Sequence, residues 1–137
     1  MGMSLAAALD DYLASARGAS FCWTTNNCGD FISGWVLAAT GRPVSAVLHG
    51  RSDRATARAV RAEGGLSAVV TKRLHCAPLP PTFAQVGDIV AYTTIGLAGA
   101  LCICVGRMAV GRDAEGELVF VPLDQAADAW RLSEVAA

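Results

Sequence analysis

The sequence predicts an α+β fold, in which N-terminal helices pack on a small C-terminal antiparallel sheet. In the first half of the chain, apolar residues such as Leu5, Leu9 and Leu13 recur at the spacing of one helix face. In the second half, short β-prone runs are separated by glycine-containing turns. The 137 residues suit one domain over 1–137, with a helical half over about 1–76 and a sheet half over about 83–132.

Helix-capping residues divide the first half into four predicted helices. Ser4 is a good N-cap for the first helix, and Gly18 ends it. Asn27 can cap a second helix that begins at Cys28, and Gly64 with Gly65 closes the third. The predicted helices cover residues 5–16, 28–39, 54–63 and 66–74.

The second half reads as a sheet that begins at Gly87 and Asp88. The glycine ends a proline-rich loop over 77–82, and the aspartate caps the strand entrance. Strands are predicted over 89–93, 100–105, 108–110 and 117–121, followed by a helical turn over 124–129 and an edge segment over 129–132. In the strand over 100–105, a period of two puts Leu101, Ile103 and Val105 on one face and Cys102 and Cys104 on the other.

Composition excludes several classes of function. The apolar fraction of 53% and the charged fraction of 17% describe a folded chain with a sizeable core. A net charge of -1 leaves no electrostatic footprint for nucleic acid. No apolar run reaches the length of a membrane span, so we expect none. The apolar run before Asp10 and Asp11 is short and lacks a basic n-region, so we do not expect it to act as a signal peptide.

The five cysteines have no zinc or redox spacing, so we expect reduced thiols of a protein made in a cytosol, with no bound metal or cofactor. The alternative is that Cys102 and Cys104 join Cys22 or Cys28 as ligands of a metal ion or an iron–sulfur cluster. The favoured interpretation is that Cys102 and Cys104 pack the sheet against the helix that begins at Cys28. Trp23, Trp35 and Trp130 are expected in the core or in a subunit contact.

Cys28 is the candidate nucleophile. A thiol in the first turn of a helix lies at the positive end of the helix dipole, which lowers its pKa and favours the thiolate. Such a thiol also needs a base within hydrogen-bond reach. His49, in the connector over 44–51, and His75, at the end of the fourth helix, are the two candidates. The alternative is that Cys28 is a small core residue and both histidines lie on the surface.

Several short motifs follow one another along the chain, and together they resemble a known family. They are Phe21 and Trp23, Cys28, Trp35 with Thr40 and Gly41, Gly64-Gly65-Leu66, the strand opener Gly87-Asp88, the strand over 100–106, and Ala129-Trp130-Arg131. This order is similar to that of the papain-like NlpC/P60 superfamily. More narrowly, it resembles the small NlpC/P60-like proteins encoded with tail genes of siphophages, prophages and gene transfer agents.

The chain departs from active members of that family at the catalytic histidine. In those hydrolases the histidine opens the strand that follows the Gly-Asp strand, whereas residues 100–106 here contain no histidine. Ala100 and Leu101 cannot accept a proton. Asn27 also stands where the narrower family often has Asp, and Thr24 where it has Gly. The resemblance therefore implies a hydrolase fold without the hydrolase reaction.

The function implied by the resemblance is structural. We expect a component of a phage or phage-like tail, at the tail tip or baseplate, made in the bacterial host cytoplasm and kept in the virion tail. Its expected partners are other tail proteins (hub, distal tail or fibre-like subunits), contacted through arginines in 51–61 and the apolar loop over 95–99. One alternative is a cysteine peptidase or amidase that cleaves peptidoglycan with Cys28 and His49 or His75. Another is a tail assembly factor absent from the particle.

Overall fold

The computed structural model describes residues 4–17, 28–44, 53–95, 99–113 and 117–135. Within these ranges helices come first and strands second, which confirms the predicted α+β class. The helices are α1 (Leu5–Arg17), α2 (Cys28–Thr40), α3 (Asp53–Ala62) and α4 (Leu66–Leu74). The strands are β1 (Ile89–Tyr92), β2 (Ala100–Cys104), β3 (Met108–Arg112), β4 (Leu118–Pro122) and β5 (Asp128–Trp130).

The helix boundaries follow the local signals in the sequence. α4 spans the residues predicted for it, and α2 begins at Cys28 as expected. Gly64 and Gly65 both have positive φ, of 100° and 108°, which is the backbone conformation that makes glycine a helix terminator. The aromatic loop before Cys28 and most of the connector over 44–51, including His49, lie outside the described residues.

The segment before β5 differs from the prediction. The helical turn expected over 124–129 is a shorter 3-10 turn, Leu123–Gln125. It stops early because the backbone N–H of Ala127 donates to the carbonyl of Ala91 and begins the pairing of β5 with β1. Two further 3-10 turns lie at Pro81–Phe83 and Leu132–Glu134.

The five strands form one antiparallel sheet in the order β4-β3-β2-β1-β5. Strands β1, β2, β3 and β4 pair in chain order, so that β4 lies at one edge of the sheet. β5 returns to the other side of β1, where Trp130 pairs with Ile89. β1 therefore lies between a strand near to it in sequence and one from the end of the described chain.

One side of the sheet, the helix face, packs against the helices. Ile89, Leu101, Ile103, Val110 and Trp130 share one buried cluster with core residues of all four helices. Trp35 of α2 and Trp130 are fully buried, which confirms the core placement expected for these two tryptophans. Their indole N–H groups are satisfied: Trp35 donates to the Gly87 carbonyl at 2.8 Å, and Trp130 donates to the Thr71 hydroxyl at 3.1 Å.

The opposite side, the outer face, carries Cys102 and Cys104, and this corrects one expectation. The two thiols do not pack the sheet against α2; they form a second cluster with Val90, Tyr92, Ala109 and Ala129. The period of two that puts Leu101 and Ile103 on the helix face turns both cysteines away from it.

Tyr92 belongs to the outer-face cluster and is fully buried. Its hydroxyl donates to the carbonyl of Pro122 at 3.1 Å, so the side chain reaches from β1 to the far end of β4. Gly111 makes room beneath this layer, since a Cβ there would lie 2.8 Å from the sulfur of Cys102. Leu79, Ala84, Leu123 and Ala126 pack against the same cluster from the adjoining loops.

Asp88 joins the start of β1 to the C-terminal segment. Its carboxylate, in a residue that is 2% exposed, accepts backbone N–H bonds from Gln85 at 2.8 Å and from Leu132 at 2.9 Å. The Arg131 guanidinium lies 3.3 Å from the same carboxylate. Gly87, with φ of 94°, delivers the chain into this position. The predicted aspartate cap of the strand entrance is confirmed.

We expect Asp88→Asn to lower the free energy of unfolding by about 3 kcal/mol, because an amide NH2 group would face a backbone donor and leave Arg131 without its counter-charge. Urea denaturation measures the change. Asp124→Asn, at an exposed carboxylate, is the matched control and should stay within about 0.5 kcal/mol of the parent. A loss at Asp88 no larger than the control's would contradict the buried network.

We expect Gly111→Ala to cost about 2 kcal/mol, because the added methyl group overlaps the sulfur of Cys102. In a double-mutant cycle, Cys102→Ala should recover part of that loss. Cys104→Ala is the control, since its sulfur is not among the atoms closest to the new methyl group. Equal recovery by both cysteine variants would show that the strain lies elsewhere.

Candidate functional site

The first turn of α2 is the place where the sequence predicts a nucleophile. Cys28 is the first residue of α2, so its predicted position at a helix N-terminus is confirmed. The side chain of Cys28 lies outside the described part of the structure. Three residues on, Phe31 is buried in the cluster that contains Leu101 and Ile103. The first turn of α2 is thereby held against β2.

The start of β2 is the place where the resemblance puts a catalytic histidine. The helix-facing residue there is Leu101, which is 1% exposed. An isobutyl group can neither accept a proton nor orient a base. Ala100, its neighbour, packs against the outer-face cluster instead. The strand position facing α2 is therefore filled by an apolar side chain.

Tyr12 of α1 packs against the first turns of α2. Its ring centroid lies 5.5 Å from that of Phe31 and 5.7 Å from that of Trp35, and its hydroxyl donates to the Phe31 carbonyl. A side chain at Gly34 would collide with this hydroxyl. Burial raises the pKa of Tyr12 to about 12; Arg112 opposes the shift and Asp30 adds to it. At neutral pH the phenol is protonated and acts as a donor.

Arg112 is a functional candidate that the sequence analysis missed. It ends β3, is 8% exposed, and alternates with Val110, which places it on the helix face. The register that pairs Ile103 with Val110, continued by two residues, sets Arg112 opposite Leu101. A guanidinium remains charged at every accessible pH and cannot serve as a base. The alternation of Met108, Val110 and Arg112 was the signal in the sequence.

His75 is the one histidine within the described ranges. It is exposed, has a left-handed backbone with φ of 50°, and caps the end of α4. The thiol of the next residue, Cys76, is within 4.0 Å of the Arg131 carbonyl, next to the Asp88 network. Cys28 lies about two helical turns before Trp35, the residue of α2 that bonds to Gly87. His75 is therefore followed in the chain by a residue that lies near the Asp88 network. The roles of His75 and His49 as bases for Cys28 stay predictions.

Cys76, Cys102 and Cys104 are reduced and buried, which agrees with the expectation of small core residues. Burial raises the pKa of Cys76, and Glu134 adds to the shift. Burial also raises the pKa of Cys104, against a hydrogen bond from its thiol to the Gly106 carbonyl. Across the described ranges, no three side chains of His, Cys, Asp or Glu converge as a metal site would require.

The cavities of the described structure differ in size and in position. A cavity of about 110 Å³, below the several hundred Å³ of an ordinary ligand pocket, is lined mainly from the outer face, by residues such as Cys102, Gly111 and Val119. A cavity of about 620 Å³ opens near the outer face, between Pro81, Arg107 and Leu123. Its described lining contains no cysteine and no histidine, so it offers no nucleophile or imidazole base.

The pKa of Tyr12 leads to a pH-dependent stability. An exposed tyrosine in the unfolded chain ionises near pH 10, whereas folded Tyr12 holds its proton to about pH 12. Ionisation in this window stabilises only the unfolded state, so stability should fall as the pH rises from 10 to 12. In Tyr12→Phe that decline should be shallower, while Tyr92, whose pKa burial also raises, supplies the remainder. Urea denaturation between pH 10 and 12 measures the decline in stability, and tyrosinate absorbance measures the ionisation of the phenols. Ionisation of Tyr12 with a midpoint near pH 10 in the folded protein would contradict its burial.

Within the described ranges, no helix is both long and apolar enough to cross a membrane.

No curated protein matches the chain. A family model described as a domain of unknown function, DUF6950, matches residues 3–132, which is nearly the whole chain. The chain therefore belongs to the DUF6950 family.

Proposed function

We propose that this protein is a structural component of a phage or phage-like tail, at the tip or baseplate, built on a papain-like NlpC/P60 fold that has lost its hydrolase reaction. The observation that carries the loss of reaction is Leu101, buried on the helix face at the start of β2. In an active NlpC/P60 hydrolase the histidine base would stand there. Removing the base from a cysteine–histidine pair typically costs orders of magnitude in rate.

The papain-like assignment is supported by the order and packing of the elements. A helix that begins with cysteine packs on β2 and β3, and the Gly87-Asp88 opener leads directly into β1. The motif that ends in Trp130 and Arg131 closes the sheet beside β1 and reaches back to Asp88. The tail location is supported by the resemblance to proteins encoded with tail genes.

The described side chains that pack on the first turns of α2 include no imidazole base. Leu101 is apolar and Tyr12 is protonated at neutral pH, so neither can take a proton from a thiol. The exposed side chains of Arg54, Arg58 and Arg61 line one side of α3 and offer a cationic contact surface for other tail proteins. Arg51 and most of the apolar loop over 95–99 lie outside the described residues.

The enzyme alternative is a peptidoglycan amidase or endopeptidase with Cys28 as nucleophile and His49 or His75 as a relocated base. The observation that keeps it open is the confirmed position of Cys28 at the start of α2, where the helix dipole favours a thiolate. A reactive Cys28 would be alkylated at neutral pH well before Cys76 and Cys104, whose pKa values burial raises.

The test combines particle composition with activity. Mass spectrometry of purified particles from the source bacterium should find this chain in the tail, and the purified protein should release no product from muropeptides. Cys28→Ala should still support particle assembly, with Cys104→Ala as the control for loss of a core thiol. Absence of the chain from particles would favour the assembly-factor alternative. Muropeptide cleavage that disappears in Cys28→Ala but survives in Cys104→Ala would establish the enzyme instead.

A further inference from the structure

The two edges of the sheet differ in whether a further residue pairs with the edge strand. At the β5 edge, Leu79 forms a bridge with Ala129, exchanging backbone hydrogen bonds of 2.8 Å and 3.0 Å. At the β4 edge no bridging residue is present in the described ranges. β4 has the sequence LVFVP, without a charge, and Val119 and Phe120 are 40% and 48% exposed. An uncharged, exposed edge strand is a template for pairing with another strand.

The hydrogen bonds of the β3–β4 hairpin show which groups of β4 face outward. Asp113 N–H donates to the Glu117 carbonyl and Leu123 N–H donates to the Arg107 carbonyl, both at 3.0 Å. In an antiparallel ladder, alternate residues bond to the same neighbour. Val119 and Val121 therefore bond to β3, and the N–H and C=O groups of Leu118 and Phe120 point away from the sheet. Each copy thus offers two donors and two acceptors at this edge.

We propose that β4 is the interface of a two-fold symmetric dimer of this chain, with Leu118 opposite Phe120 of the second copy and Val119 at the axis. In this register all four outward groups of each strand are bonded, because each Leu118–Phe120 pair exchanges two hydrogen bonds. The next register along sets Phe120 opposite itself and Leu118 opposite Pro122, which has no N–H to donate. The sequence of β4 therefore selects the first register. The inference does not rest on the proposed function.

The surface beside β4 is also self-complementary. A groove of about 410 Å³ lies between α1 and the sheet, lined by Asp10, Leu13, Ala14, Arg17, Val105 and Phe120. A two-fold axis perpendicular to the sheet keeps the helix layers on the same side and reverses the direction of α1. Asp10 and Arg17 line the same groove as Phe120, so each copy brings one acidic and one basic side chain to this side of the proposed interface, where each can pair with its opposite in the second copy.

The test begins with the mass of the full chain in solution, by sedimentation at high micromolar concentration. The wild-type chain should be a dimer, and Phe120→Lys should be a monomer, because the new charge opposes strand pairing. Phe83→Lys is the matched control: Phe83 is 63% exposed but lies outside β4, so this variant should remain a dimer. A monomeric wild-type chain, or equal dissociation by both lysine variants, would overturn the proposal.

A cross-link tests the register independently of any loss of folding. Directly opposed residues of a non-hydrogen-bonded pair have Cα atoms about 4.5 Å apart, which a disulfide can bridge. Val119→Cys should therefore form an intermolecular disulfide under mild oxidation, mapped by peptide mass spectrometry. Val121→Cys lies on the same face, but its two copies would be about 14 Å apart and should not cross-link. Cross-linking at Val121 and not at Val119 would exclude this register.

Discussion

The buried carboxylate of Asp88 is the interaction on which the sheet half of this molecule depends. Two backbone N–H groups and the Arg131 guanidinium offset the cost of taking its charge out of water. The adjoining carbonyl of Gly87 accepts the indole N–H of Trp35, so the same dipeptide also fixes α2 on the sheet. Gly87 and Asp88 therefore connect three parts of the structure: the start of β1, the C-terminal segment at Leu132, and α2.

Local signals in the sequence accounted for the elements but not for all of their packing. The bounds of α4 followed from Gly64, Gly65 and an apolar face, and the alternation in β2 followed from its period of two. That period defines two faces without saying which one meets the helices. The choice depends on partners distant in sequence, such as Trp130 beside Ile89. For this reason the placement of Cys102 and Cys104 against α2 was wrong.

Of the candidate site, too, the sequence could predict the local features but not the packing. A helix start at Cys28 could be predicted from the residues around it, since capping is a local property. Arg112 and Tyr12 could not, because their proximity to α2 arises from the register of β3 on β2 and from the packing of α1. Around the first turns of α2 the described structure places a buried leucine and a protonated phenol, with a permanent cation on the same face of the sheet. The cysteine–histidine pair itself stays a prediction.

The position of β5 has a consequence for how the chain acquires its structure during synthesis. β1 is flanked on one side by β5, the last of the described strands in chain order. Asp88 accepts a hydrogen bond from the Leu132 N–H, and Arg42 donates one to the Val135 carbonyl. A nascent chain on the ribosome could form its helices early, since they depend on near neighbours. β1 would lack its neighbour β5, and Asp88 its bond to Leu132, until residue 135 had left the exit tunnel. Folding of this core is therefore an event that follows translation of the described chain, rather than one that accompanies it.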